Sequence, residues 1–75
     1  MSNGLLVALG RAIRQVREDR QISQDQLATK AELDRSYVSS IENGKRNVSI
    51  QSLNKIANSL GVSLTELIQL AEDRL

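Results

Sequence analysis

The sequence predicts an all-α fold, a compact bundle of five short helices, and three observations predict it. The 75 residues contain no Pro and only four Gly, so little interrupts helix. Apolar residues recur at i, i+3, i+4 and i+7 in most segments, the spacing of one buried helix face. Between those segments stand residues that start and stop helices.

The first helix is expected over residues 6–20, with Leu9, Ala12, Ile13 and Val16 as its stripe. Ser23 followed by Gln26 fits a capping box, in which hydroxyl and amide satisfy each other's free backbone donors, and opens a second helix over 24–31 that buries Leu27, Ala28 and Ala31. Asp34 is the N-cap candidate for a third over 35–43, where Val38 and Ile41 face inward and Gly44 provides a left-handed stop. Ser49 caps a fourth over 50–60, with Leu53, Ile56, Ala57 and Leu60 inside and Gly61 at its end. Ser63 and Glu66 form a second capping box, and the last helix, 64–74, carries Leu64, Leu67, Ile68, Ala71 and Leu75. No linker, repeat or low-complexity segment divides residues 1–75, which read as one domain.

A chain of this length buries only about 60% of the surface it exposes unfolded, so its core is thin and a partner subunit would help it. With no Cys and no His, disulfides, zinc-finger ligand sets, thiol nucleophiles and the usual neutral-pH base are all missing. Nothing in the sequence would activate a serine, and neither a phosphate-binding glycine loop nor a metal-ligand cluster occurs. An enzyme is therefore not expected, nor a metal, a cofactor or a small-molecule ligand. No apolar run approaches the roughly 20 residues that span a bilayer, and LLVALG at 5–10 is too short and lacks a basic leader for a signal peptide. The chain reads as soluble and cytoplasmic. Its net charge of +1 is divided unevenly: residues 1–60 hold nine Lys/Arg against six Asp/Glu, whereas residues 61–75 hold one Arg against three acids. A small basic excess permits nucleic-acid binding without demanding it.

The third helix is unlike a solvated surface helix. With Val38 and Ile41 turned inward, Ser36, Ser39, Ser40 and Asn43 form the outward stripe. An ordinary exposed face would carry Lys and Glu, and serine and asparagine are mediocre helix formers. Small polar side chains let the helix backbone come close to a partner while still offering donors and acceptors, which suits base edges in a DNA major groove. Arg35 at the start of the helix has a planar fork matched to guanine. Tyr37, the single aromatic residue, projects to the flank. Lys45 and Arg46 follow Gly44 and could hold phosphates, fixing register without reading sequence, and Asn47 could add a contact to backbone or base. Each feature has a plainer reading: serines occur by chance on surface helices, Tyr37 could cover the edge of an aliphatic core, and Lys45 and Arg46 alone would be a solvated loop. Their arrangement around one face is what favours a function.

QDQLATKAELDRSYVSSIEN, residues 24–43, resembles the helix-turn-helix of the phage-repressor and Cro-like family, with Leu27, Ala28, Ala31, Leu33, Val38 and Ile41 at its apolar positions. That family often has Gly at the first residue of the turn, where this chain has Glu32. The resemblance continues through IENGKRNVSIQSL to ANSLGVSLTELIQL. More narrowly, LDRSYVSSIENGKRNVSIQSLNKIA resembles the controller proteins of bacterial restriction–modification systems. The resemblance implies a homodimeric transcription factor on double-stranded DNA that activates its own operon and the endonuclease gene when scarce and represses when abundant. It places Gln24 on a phosphate at the start of the second helix, and Arg35, Ser36, Ser39 and Ser40 at the bases. Tyr37, Asn43, Arg46 and Asn47 would lie nearby. Two recognition helices would then stand about 34–36 Å apart on a near-palindromic operator.

Arg17 and Glu42 lean inward from their helices, and the resemblance suggests that they pair, tying the first helix to the third. Leu70 lies off the apolar stripe of the last helix, so Leu64, Leu67, Leu70 and Ala71 are expected to form a dimer contact. Activation implies contact with RNA polymerase, for which Glu18, Asp19, Asp25 and Lys30 are exposed candidates. Two rivals share much of this pattern. The antitoxin of a toxin–antitoxin pair would keep the fold and add a protein partner, and a helical protein-interaction module would show an acidic or hydrophobic outer face on the third helix.

Overall fold

Side-chain caps explain where three of the helices begin. In the computed structural model, which describes residues 4–75, the helices are α1 (Gly4–Asp19), α2 (Gln24–Ala31), α3 (Arg35–Glu42), α4 (Ile50–Leu60) and α5 (Leu64–Glu72), with no strand among the described residues. Ser23 and Ser63 each accept from the backbone N–H three residues on, at 3.0 Å, while Gln26 and Glu66 reach back to the cap N–H, so both capping boxes form. Ser49 caps α4 through Ser52 N–H. Asp34 has the extended backbone of a cap, but its side chain makes no capping hydrogen bond. The start of α3 is held by the backbone instead, Val38 N–H donating to the Asp34 carbonyl at 3.1 Å.

Helix ends depart from the periodic reading for local reasons. α1 starts two residues earlier than its apolar stripe implies, leaving Leu5 half exposed. α3 stops at Glu42, and Asn43 is its C-cap. α5 stops at Glu72: Arg74 and Leu75 bond back to Ala71 and Glu72 in tight turns, which swings Leu75 out to 71% exposure, not into the core. Gly61 and Gly44 take positive φ, 76° and 70°, as stop residues should. Glu32, in the turn between α2 and α3, takes φ 57° without being glycine, and Leu33 N–H still closes onto the Ala28 carbonyl at 2.9 Å.

The core is continuous: Ile13, Leu27, Val38, Ile56, Leu60 and Leu67 are fully buried, one or more from every helix. Each such side chain is worth roughly 1.5–3 kcal/mol of transfer free energy. α1 packs on both α5 and α3, while α2 packs on α4 and α3. α1 also meets the end of α3 backbone to backbone. A Cβ on Gly10 would stand 2.5 Å from the Glu42 carbonyl oxygen and closer still to that of Ile41, and a Cβ on Gly44 would stand 2.9 Å from the Val7 Cα. Glycine at these two positions is what allows the approach. Among the described residues, no helix is long and apolar enough to cross a membrane.

Candidate nucleic-acid interface

The sequence of α3 divides its residues between two faces, and the structure shows how unequal they are. Val38 and Ile41 are buried. Ser36 is exposed, whereas Ser39 and Ser40 are half-buried, so the small polar stripe is fully open only at its ends, where Asn43 is also exposed. Gly44 turns the chain back: Lys45 N–H donates to the Ser40 carbonyl at 3.0 Å. That turn brings Arg46 over Tyr37, with the guanidinium carbon 5.0 Å from the ring centroid, a cation–π contact that limits where an exposed arginine can point. Tyr37 is itself half-buried against the core, so it serves both as core edge and as platform. Ser36, Tyr37, Arg46 and Asn47 line one open hollow together with Glu32, Leu33 and Asp34 from the turn before α3 and with Ser49 and Ser52 at the start of α4.

Arg35 stands on the other side of α3. Its Nε lies 3.3 Å from an Asp25 carboxylate oxygen on the first turn of α2, and both side chains are well exposed, at 65% and 70%. Pairs this exposed contribute little to stability, and Arg35 leaves Asp25 at small cost. Nothing local in the sequence pairs these two residues. Glu18 and Asp19, two of the exposed acids, also have partners: Arg14 Nε lies 3.2 Å from Glu18 and the Gln15 amide 2.8 Å from Asp19.

The inner end of α3 is wired to both α1 and α2. Arg17 Nε donates to Glu42 Oε2 at 2.7 Å and Nη2 to Oε1 at 3.0 Å, a bidentate pair with side chains only 10% and 1% exposed. The remaining Nη1 donates to the Ile22 carbonyl at 2.9 Å. This hydrogen bond to Glu42 raises the Arg17 pKa above its ordinary value, against the opposing effect of burial, with the charges of Glu42 and then Glu18 adding to it. Gln24 also donates to Glu42 Oε1, at 3.0 Å from Nε2. Its side chain is thus held by an acid before any phosphate is considered, a tie between residues 18 positions apart that sequence reading missed. No buried side-chain polar atom lacks a partner among the described residues, nor could any group of His, Cys, Asp and Glu there hold a metal ion.

The residues expected at a dimer contact do not share a surface. Leu67 and Ala71 are 0% exposed, turned into the protein's own core, and Leu64 packs against that core from its edge. Leu67 and Ala71 are corrected to core residues, because the α5 stripe that marks them as apolar is the one that seats the helix on α1 and α4. Leu70 alone of the four is open, at 40%, beside a shallow hollow with Thr65, Glu66 and Gln69.

A helix-turn-helix family model matches residues 13–67, a span that contains α2, α3 and the turn between them. The control protein C.MunI of a Mycoplasma species is 44% identical over 66 residues, covering 87% of this chain and 89% of that protein. The crystal structure of the restriction–modification controller protein C.AhdI from Aeromonas hydrophila superposes with a TM-score of 0.81 at 42% identity, covering 83% of this chain and 94% of that one. The controller protein C.Esp1396I, solved as a tetramer on its natural 35 base-pair operator, superposes with a TM-score of 0.85 at 34% identity, covering 93% and 92% of the two chains. The chain belongs to the Cro/C1-type helix-turn-helix family, and within it is similar to the restriction–modification controller proteins.

Proposed function

We propose that the chain is a sequence-specific DNA-binding transcriptional regulator that acts as a homodimer on a near-palindromic operator, as the autoregulating controller of a restriction–modification operon. The observation that carries this reading is the outer face of α3: a stripe of Ser36, Ser39, Ser40 and Asn43, flanked by an exposed Arg35 and by Arg46 stacked on Tyr37. In this reading Arg35 leaves Asp25 to read a base edge, and the serines allow the helix to lie deep in the major groove. Lys45, Arg46 and Asn47 hold phosphates and so set the register of the helix. The operator complex of C.Esp1396I supports double-stranded DNA as the partner and self-association as the mode of assembly. Leu70 is the exposed large apolar side chain of α5 and is available to a second copy.

In this reading control runs through concentration: dimers form, then occupy sites in order of affinity. Low occupancy activates and high occupancy represses, and activation requires RNA polymerase as a further partner.

The test is binding to the DNA immediately upstream of the chain's own gene, titrated at several salt concentrations beside Arg35→Ala and Arg46→Ala. The wild type should bind with a steep salt slope. Arg35→Ala should lose sequence preference, by roughly 1–3 kcal/mol of discrimination, whereas Arg46→Ala should weaken all duplexes alike and flatten the slope by about one. Leu70→Arg should leave the fold intact and weaken dimerisation by sedimentation. Failure of the folded wild type to bind any duplex at physiological salt would assign the serine face to a protein partner.

A further inference from the structure

Glu42 accepts more than its charge requires. The bidentate Arg17 already neutralises the carboxylate, yet Gln24, on the first turn of α2, donates to it as well. A neutral amide adds a hydrogen bond there but no charge. What it acquires is orientation. A free glutamine amide turns either its donor or its acceptor end outward, but an ionised carboxylate only accepts, so Gln24 must keep its nitrogen against Glu42. One N–H is occupied in that contact. The other remains on a half-buried side chain at the start of α2.

Charge balance matters equally. A bare carboxylate directly behind such a donor would repel an approaching anion, the more strongly for being buried. Arg17 cancels that charge from the side of α1, so the Gln24 nitrogen can face a phosphate without an uncompensated acid behind it.

We infer that Glu42 is a positioning residue for DNA binding: it aims the Gln24 side-chain amide at one backbone phosphate in each half-site. The inference rests on the DNA-binding reading above. Arg17, Glu42, Gln24 and the phosphate then form one hydrogen-bonded chain through α1, α3 and α2, and the buried ion pair fixes the register of the protein on the duplex as well as the packing of its helices. The contact carries no sequence information.

The experiment uses a duplex that the protein selects from a random pool, with phosphates replaced one at a time by neutral methylphosphonate. One position per half-site should weaken the wild type by about tenfold, the scale of a hydrogen bond to a charged group. That penalty should vanish in Gln24→Leu and in Glu42→Gln, while the penalties at phosphates held by Lys45 or Arg46 persist in both. Because Glu42→Gln disturbs a buried pair, each variant is first checked for a cooperative melt. The free wild type gives a second readout that needs no variant: by NMR, the Gln24 side-chain amide should hold one proton in slow exchange, unlike that of the exposed Gln51. The inference is overturned if the wild type binds but no phosphate penalty depends on Gln24, if the penalty survives in folded Glu42→Gln, or if the Gln24 amide exchanges like that of Gln51. A wild type that selects no duplex overturns the DNA-binding reading itself, and this inference with it.

Discussion

The two ends of α3 are held in opposite ways. At its C-terminal end the helix touches α1 through glycine and shares a buried carboxylate with Arg17 and Gln24. At its N-terminal end, among the described residues, the ion pair to α2 is the exposed one between Arg35 and Asp25. The difference separates two tasks. The attitude of the helix is fixed by contacts that exclude water, whereas the side chain expected to read a base is held only by one that water can replace. Substitutions at the first end should therefore change stability strongly, and those at the second should hardly change it.

The largest effect is expected from Arg17→Ala, which strands the Glu42 carboxylate in the interior. Breaking a buried pair by removing one partner costs about 3–5 kcal/mol, and a domain of this size has only roughly 4–11 kcal/mol in total. A urea titration should show most of the stability gone. Replacing Arg17 and Glu42 together by apolar residues should recover much of it, and a double variant no better than the single one would mean that the pair holds α3 by more than its charge. The raised pKa of Arg17 does not make this tie pH-sensitive in the neutral range: its contribution is fully present below the arginine's unfolded value and lost only as pH rises through the higher folded one.

Gly10→Ala comes next. Its new methyl would overlap the carbonyls of Ile41 and Glu42, and because those are backbone atoms at a helix end they cannot move aside as a side chain would. Overpacking of this kind costs about 1–3 kcal/mol, offset by less than 1 kcal/mol from improved helix propensity. The melting temperature should fall, by up to about 15 °C, and an unchanged melt would show that α1 and α3 slide apart easily.

Legibility followed the same division. The capping boxes at Ser23 and Ser63 were readable because each involves residues three apart, and the core was readable because Ile13, Leu27, Val38, Ile56, Leu60 and Leu67 all sit on periodic stripes. The outer face of α3 was readable for the same reason, since its composition is local. Contacts between helices were not: nothing in the spacing joins Asp25 to Arg35, Gln24 to Glu42 or Tyr37 to Arg46. The pairing of Arg17 with Glu42 came from family resemblance. Leu67 and Ala71 show the converse limit, because an apolar stripe does not say whether its own chain or a second copy covers it.

Glu32→Gly addresses the turn that joins α2 to the N-terminal end of α3. The residue stands in the left-handed region at φ 57°, which costs a side-chain-bearing residue roughly 1–2 kcal/mol, while glycine loses about 0.5–1 kcal/mol more backbone entropy on folding. The balance predicts a gain of about 0.5–1 kcal/mol, seen as a melting temperature higher by a few degrees. A loss would mean that the Glu32 side chain supports the turn in a way that offsets its backbone strain.

The smallest effect is expected from Asp25→Asn, and it tests the comparison most sharply. Both members of the Arg35–Asp25 pair are largely in water, where exposed ion pairs are worth under about 1 kcal/mol and are screened by salt. The melt should move by no more than a few degrees, and less at high salt. The variant frees Arg35 and removes a negative charge from the face expected to meet DNA, so affinity for non-cognate duplex should rise while the fold stays as it was. A large loss of stability would show that the N-terminal end of α3 is as firmly built as the other, and that Arg35 is part of the frame rather than a side chain free to read DNA.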